Sequence, residues 1–249
     1  MAISEVGSAV AGGSGTAVSV THGLSIAAND IVVVALHSDA ASTQTDNNGA
    51  YPLTKPYGIG TPGDVSTTSV WVRVAGASEP AAYAFTLGAT QNWSIVVRVF
   101  RGCDPSVIWD VTPAAARTAT GTSITLTAPT MTITNAGAMG VCAFFADRTG
   151  VFSNITNSYG TEVMHGTALP GRLVSTFIRA NLSAGATGTT SCDLSSSDDW
   201  AAYQFALKPA AAGGGIGKLA WWLNACKWHS PWEPRPSGLL VPKLATPTI

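Results

Sequence analysis

The chain has 249 residues, of which 46% are hydrophobic and only 11% are charged. This composition excludes an intrinsically disordered chain, and the net charge of −1 excludes a strongly basic protein that attracts nucleic acid through its overall charge. A soluble chain with so few charges must cover its surface with Ser, Thr and Gly or with other subunits. The composition therefore favours a protein that assembles.

The amino terminus and the cysteines exclude further classes. Met1 to Ser4 provides no cationic segment, and the apolar runs are far shorter than the ~20 residues of a membrane helix. We therefore expect neither a classical signal peptide nor a membrane span. The cysteines are dozens of residues apart, so CxxC metal and redox motifs are absent and free thiols are expected. They are Cys103, Cys142, Cys192 and Cys226.

Residues 4–208 consist of short β-branched or alternating runs separated by turn-forming residues, which predicts an all-β fold. The alternation in Val70–Ala75 is typical of a strand with one buried face, whereas Ile31–Leu36 is apolar on both faces and predicts a central strand. Both kinds of strand fit a two-sheet, jelly-roll-like β-sandwich, with further central strands at Ile95–Val99 and Val141–Phe145. The predicted strands are Ala17–Thr21, Ile31–Ser38, Thr67–Ala75, Ala81–Leu87, Trp93–Arg101, Ser123–Thr127, Ala138–Ala146, Arg172–Arg179, Thr187–Asp193 and Trp200–Lys208.

The two halves of this region share a weak internal repeat with a nearly constant offset, which indicates a duplication. Chance similarity between low-complexity β sequences is the alternative explanation. The matching positions are Asp39 and Asp147, Arg73 and Arg179, and Trp93 and Trp200.

Several motifs within residues 16–209 occur in a combination that is typical of one group of proteins. They are the Asn-Asp-hydrophobic run Asn29–Leu36, the Val-Trp to Glu-Pro block Val70–Pro80, the strand end Trp93–Pro105 and the segment Leu182–Pro209. In this combination the chain resembles a domain of tailed-phage virion proteins and of some bacterial surface proteins. The resemblance implies a jelly-roll-type β-sandwich that builds or decorates a virion, and it implies no catalytic residues.

The composition changes abruptly after Pro209. We predict a β-sandwich domain at residues 1–209, an Ala/Gly linker at 210–217 and a Trp/Pro-rich docking segment at 218–249. The docking segment includes a short amphipathic helix predicted at residues 218–228. Residues 213–249 carry four Lys or Arg and one Glu, a net of +3, against nine and thirteen, a net of −4, in residues 1–212. The candidate assembly interface consists of Trp221, Trp222, Leu223, Trp228 and Trp232.

Other candidate sites have simpler structural interpretations. The four histidines lack metal-site spacing, and the serines lack a Gly-x-Ser-x-Gly elbow. The carboxylate pairs could serve a glycosidase, but Asp before a strand ordinarily closes a turn. Asp46–Gly49 is interpreted as an Asn-Gly turn rather than a calcium loop, and Gly12–Gly15 as a turn rather than a phosphate loop. The histidines are His22, His37, His165 and His229, and the carboxylate pairs are Asp30 with Asp39 and Asp198 with Asp199.

Two groups of aromatic residues could form a binding surface. The stretch Ser42–Asp64 carries Tyr51 and Tyr57 and is a candidate recognition loop, with an ordered connector as the alternative. Four tryptophans could form a ligand platform, although packing in the core or at its rim is favoured. These are Trp71, Trp93, Trp109 and Trp200.

The sequence as a whole predicts a non-enzymatic virion structural protein, in the capsid decoration or in the tail and neck. We expect it to be assembled in the host cytoplasm as a homo-oligomer with other virion proteins. No catalytic residue, cofactor, metal, nucleic acid or membrane span is expected. A receptor- or glycan-binding module, with host surface glycan as partner, is the alternative, and a glycan hydrolase is the third hypothesis.

Overall fold

The computed structural model describes residues 2–39, 43–49, 53–60, 66–113, 118–165 and 173–211, and for residues 54–60, 118–120 and 165 the backbone alone. Met1–Ala210 is the first of two compact units of the chain. The described part contains β-strands and no helix. The strands are β1 Ser4–Thr21, β2 Ile31–Ser38, β3 Gln44–Asp46, β4 Thr54–Gly60, β5 Thr67–Val74, β6 Ala82–Arg101, β7 Trp109–Val111, β8 Thr118–Ala128, β9 Thr132–Ile133, β10 Ala138–Ala146, β11 Phe152–Ser153, β12 Gly160–His165, β13 Leu173–Leu182, β14 Gly185–Ala186 and β15 Thr190–Leu207.

Each half of the chain builds one antiparallel sheet. The first sheet has the order β1-β6-β2-β5-β4, with β3 also paired to β6. The second has the order β11-β15-β10-β13-β12, with β7 and β8 also paired to β15. A small ribbon of β9 and β14 adds to the second half. The predicted all-β, two-sheet β-sandwich is confirmed.

The two sheets have the same topology, so the sequence repeat corresponds to a repeat in the fold. In each half the strand that contains the matched tryptophan pairs with the central strand and with a long outer strand. Trp93 lies opposite Ser38 of β2, and Trp200 lies opposite Ala146 of β10. The equivalent strands are β1 and β8, β2 and β10, β3 and β11, β4 and β12, β5 and β13, and β6 and β15.

Apolar side chains form one layer between the sheets and one layer on the outer face of each sheet. The inner cluster combines residues of both halves, among them Val33 and Val141. On the outer side of the first sheet, Val18 and Tyr83 from the distal parts of β1 and β6 pack with Val34 of β2. The long strands therefore bend over their own sheet, and a register shift between Gly15 and Ala17 provides the bend.

The outer layers explain why the central strands are apolar on both faces. Every residue of β2 and of β10 is buried, as the continuous apolar runs predict. Ile95–Val99 of β6 is buried as well. The three predicted central strands are therefore confirmed.

The predicted turn at Gly12–Gly15 is wrong, because these residues continue β1 opposite Gln91–Ser94 of β6. The glycines have a packing role: a Cβ on Gly13 would lie 2.9 Å from Cζ2 of Trp93. The second half repeats this contact, where a Cβ on Gly121 would lie 2.9 Å from Cζ2 of Trp200. Glycine in both outer strands thus makes room for the matched tryptophans.

Candidate functional site

The predicted assembly interface lies outside the described residues. This concerns Trp221, Trp222, Leu223, Trp228 and Trp232, together with the predicted 218–228 helix, Cys226 and His229. The docking role of residues 218–249 stays a prediction.

The predicted recognition loop contains two short strands, β3 and β4. Tyr51 lies outside the described residues, and the backbone of Tyr57 pairs with Val70 within the first sheet. At the start of the stretch the Asp46 carboxylate accepts hydrogen bonds from the backbone N–H groups of Asn48, at 3.2 Å, and Leu53, at 2.7 Å. These bonds occupy the carboxylate as in a turn, in agreement with the interpretation of Asp46–Gly49.

Asp30 has the structural role that its position before β2 suggests. Its carboxylate accepts hydrogen bonds from Ala27 N at 2.8 Å and from two nitrogens of Arg101 at 2.9 and 2.7 Å. Asp39 follows the opposite end of the eight-residue strand β2. The nine residue steps of extended chain from Asp30 to Asp39 span about 30 Å, whereas the two carboxylates of a glycosidase are about 5 to 9.5 Å apart. Asp30 and Asp39 therefore cannot flank one glycosidic bond.

Asp198 and Asp199 lie within β15 rather than before a strand, beside a register shift in its pairing with β8. Asp198 accepts the Asp199 N–H at 2.8 Å, and Asp199 accepts the hydroxyl of Thr122. Nearby, Asp193 accepts hydrogen bonds from Asn154 at 3.0 Å and Thr125 at 2.8 Å, which lower the pKa of its carboxyl. These carboxylates hold the distal part of β15 to neighbouring segments.

The two histidines with described side chains occupy separate places. His37 is buried between the sheets, where its Nδ1 lies 3.3 Å from the carbonyl oxygen of Leu173. His22 stacks on Tyr83 with ring centroids 5.0 Å apart, and neither of its ring nitrogens has a hydrogen-bond partner among the described residues. The side chain of His165 is outside the described set. These positions give no common site for the histidines.

A buried ion pair is linked to His22 through Tyr83 and is not evident from the sequence. Arg73 pairs with Glu79 at 2.9 Å, and Glu79 also accepts hydrogen bonds from Tyr83 Oη at 2.9 Å and Gly76 N at 2.7 Å. Burial, followed by the bond to Glu79, raises the pKa of the Tyr83 phenol. The cluster fixes the turn between β5 and β6.

Among the described residues, Arg98 is the largest fully buried polar side chain, with 1% of its surface exposed. It donates to Glu5 at 3.0 Å within its own half and to Thr176 Oγ1 at 2.7 Å in the other half. Burial lowers the pKa of Arg98 to about 10, and Glu5 acts in the opposite direction. An Arg within the Val-Val-Arg-Val run of β6 is the one sequence signal of this contact.

The described cysteines are free and buried, and burial raises the pKa of each thiol, to about 12 for Cys103. Reactive cysteines are instead exposed and have a lowered pKa. Across the described ranges, no three His, Cys, Asp or Glu side chains come together as a metal site. The other buried thiols are Cys142 and Cys192.

The four sandwich tryptophans do not form a common platform. Trp71 and Trp93 belong to the outer cluster of the first half, and Trp200 to that of the second half. Trp109 packs against the inner cluster, edge-on to Phe205 at 5.5 Å. Core and rim packing is confirmed for these residues.

Comparison with known proteins gives no further assignment. No protein-family model, curated protein or solved structure matches the chain. Among the residues described, none forms a helix long and apolar enough to span a membrane.

Proposed function

We propose that this chain is a non-enzymatic structural subunit of a tailed-phage virion, built as a two-sheet β-sandwich that joins other subunits through residues 218–249. The virion part of the proposal rests on the motifs of residues 16–209. The non-enzymatic, structural part rests on the hydrogen bonds by which the polar side chains of the sandwich hold its own strands and turns.

The observation that carries the proposal is that the carboxylates considered for catalysis or calcium binding serve the scaffold. Asp30 holds Arg101 and the turn before β2, Asp46 closes a turn, and Asp199 binds the neighbouring strand through Thr122. A carboxylate already committed to fixed donors is poorly placed to exchange protons with a substrate. Such use of charge favours a building block over a hydrolase.

The docking segment supplies the chemistry for assembly. Its tryptophans offer large apolar areas, and Trp is enriched in the residues that dominate interface energies. Its net charge of +3 is opposite to the −4 of residues 1–212, which assists encounter with the sandwich of another copy. The flexible Ala/Gly linker allows the docking segment to extend to the sandwich of another copy.

The test compares the full chain with a chain truncated after Ala212, by analytical ultracentrifugation across a concentration series. We expect the full chain to form oligomers and the truncated chain to remain a folded monomer, because the aromatic anchors are removed and the sandwich core is retained. Trp221→Ala combined with Trp222→Ala should shift the assembly to higher concentration. The matched control is Trp109→Phe, which lies in the sandwich.

A truncated chain that assembles as well as the full chain contradicts the docking role of this segment. Turnover of a glycan polymer that is lost on Asp199→Asn without loss of fold contradicts the non-enzymatic assignment. Glycan binding that disappears when residues 50–52 are shortened supports the glycan-binding alternative instead.

A further inference from the structure

The two halves are joined across a local two-fold axis. From the match of Trp93 with Trp200, the strand registers make His37 of β2 equivalent to Phe145 of β10. These rings contact each other, with centroids 5.8 Å apart and an interplanar angle of 89°. In a two-fold arrangement a residue meets its own equivalent only at the axis. The axis that relates the halves therefore passes between His37 and Phe145.

One polar bridge crosses this inner face through Arg98. Its Nε donates to Thr176 Oγ1 at 2.7 Å, and its Nη2 donates to the Thr176 carbonyl at 2.8 Å. By the registers, Arg98 is equivalent to Phe205 and Thr176 to Val70. Phe205 and Val70 both belong to the apolar inner cluster. The polar pair on one side of the axis is thus an apolar pair on the other.

A second bridge follows the same rule. Tyr203 Oη lies 2.9 Å from Thr68 Oγ1 and donates to the Thr68 carbonyl at 3.3 Å. The equivalents of these residues are Val96 and Val174, which are both members of the inner cluster. For both bridges, therefore, a polar pair on one side of the axis corresponds to an apolar pair on the other side.

This pattern determines which surfaces can pair. If two first halves met through the face, each Arg98 would lie against Val70 and would lose the Thr176 hydroxyl that accepts from its Nε. If two second halves met, each Tyr203 hydroxyl would lie against Val174 and would lose its contact with the Thr68 hydroxyl. A buried polar group that loses one of its hydrogen-bond partners destabilises the pairing. The pairing of unlike halves satisfies all of these groups.

We infer that the inner face is a recognition surface that accepts only the opposite half. A first half, residues 2–101, binds a second half, residues 107–211, whether of its own chain or of a second copy, and excludes a copy of itself. The face is specific for the unlike half because each like pairing would remove a side-chain hydrogen bond from a buried polar group. This inference does not depend on the proposed virion role.

The experiment uses the full chain with a protease recognition sequence inserted between the exposed residues Ser106 and Val107. The purified protein is cleaved, the fragments are exchanged in mild urea, and the complexes that re-form are weighed by native mass spectrometry. We expect complexes of one first and one second half and less than a tenth of complexes of like halves. Like pairs in statistical amounts, or halves that separate without re-associating, would overturn the inference.

A matched variant separates the inner face from the contacts of the connector, where Cys103 pairs with Pro209. Thr68→Val, Arg98→Phe, Thr176→Val and Tyr203→Val together make both sides of the axis apolar and leave the connector unchanged. We expect this chain to form like pairs at least tenfold more often than the parent. If like pairs stay absent in the folded variant, the connector selects the partner and the inference is wrong. Arg98→Phe with Thr176→Val provides a milder version of the same test should the fourfold variant not fold.

Discussion

The contact between the matched tryptophans and their cross-strand glycines gives a quantitative prediction for Gly121→Ala. The new Cβ would lie 2.9 Å from Cζ2, 3.1 Å from Cε2 and 3.3 Å from Nε1 of Trp200. Carbon atoms in contact prefer separations of about 3.5–4.0 Å. The indole must therefore move by roughly half an ångström or more, although it is 93% buried in the outer cluster.

The magnitude follows from three contributions. Overpacking of a well-packed core costs about 1–3 kcal/mol, and displacement of the indole weakens its hydrogen bond to Ser123 Oγ, which is 3.0 Å long and contributes about 1 kcal/mol. Replacing Gly restricts the unfolded chain and returns about 0.4–1 kcal/mol. We expect Gly121→Ala to lower the free energy of unfolding by about 1–3 kcal/mol.

Gly13→Ala is a matched variant in the other half. Its Cβ would approach Trp93 equally closely, at 2.9 Å, but Trp93 Nε1 has no hydrogen-bond partner among the described residues. The position equivalent to Ser123 is Gly15, which provides no hydroxyl. Gly13→Ala should therefore cost about 1 kcal/mol less than Gly121→Ala, the contribution of one hydrogen bond.

Urea unfolding of the variants measures these differences. Gly23→Ala is the control, because a Cβ at Gly23 has no atom within 4 Å. The reasoning is refuted if Gly121→Ala unfolds at the same urea concentration as Gly23→Ala. Equal losses for Gly13→Ala and Gly121→Ala would refute the part assigned to the hydrogen bond to Ser123.

Three further predictions concern individual polar and thiol groups of the sandwich. Arg98→Met should lower the free energy of unfolding by about 3 kcal/mol in urea titrations. The reason is that it leaves Glu5 and the Thr176 acceptors without their buried donor. A loss below about 1 kcal/mol would contradict this role. In a Cys226→Ser chain, the remaining thiols should react with a disulfide reagent only as fast as the protein unfolds, and rapid labelling in the native state would contradict their burial. Lys208 and the N–H groups of Ser106 and Val107 lower the folded pKa of Asp104, so its stabilisation should be lost as the pH falls below about 4. Asp104→Asn should reduce that acid-dependent loss, and an unchanged pH profile would count against the contribution.

The sequence predicted the features that depend on local apolar patterns. The runs at Ile31–Leu36 and Val141–Phe145 are long, apolar and β-branched or aromatic, so burial on both faces could be inferred without a partner. The predicted match of Trp93 with Trp200 is confirmed, because each tryptophan occupies the same position in an equivalent pair of strands. Such patterns report the environment of a strand directly.

The sequence did not predict where β1 and β6 bend. The glycines of Gly12–Gly15 are typical of a turn, yet they serve to admit the Trp93 indole within a continuous strand. Two predicted strands, Ala81–Leu87 and Trp93–Arg101, are parts of the single long strand β6. The bend depends on contacts between residues that are distant in the sequence, so periodicity within one strand does not show it.

The polar groups of the inner face could not be predicted either. Arg98 is buried because Thr176, 78 residues away, offers its acceptors. A one-residue change of register would place the same side chain on the opposite face. The docking segment lies beyond the described residues, so its role stays a prediction from composition.

The most direct test of the proposed virion role is whether the chain co-purifies with tailed-phage particles from cells that produce both. Particles purified on a density gradient are probed with an antibody to residues 1–209, alongside particles produced with the chain truncated after Ala212. Our proposal predicts a fixed number of copies per particle for the full chain and none for the truncated chain. Absence of the full chain from the particle fraction, with all of it at the top of the gradient, would contradict the proposed structural role.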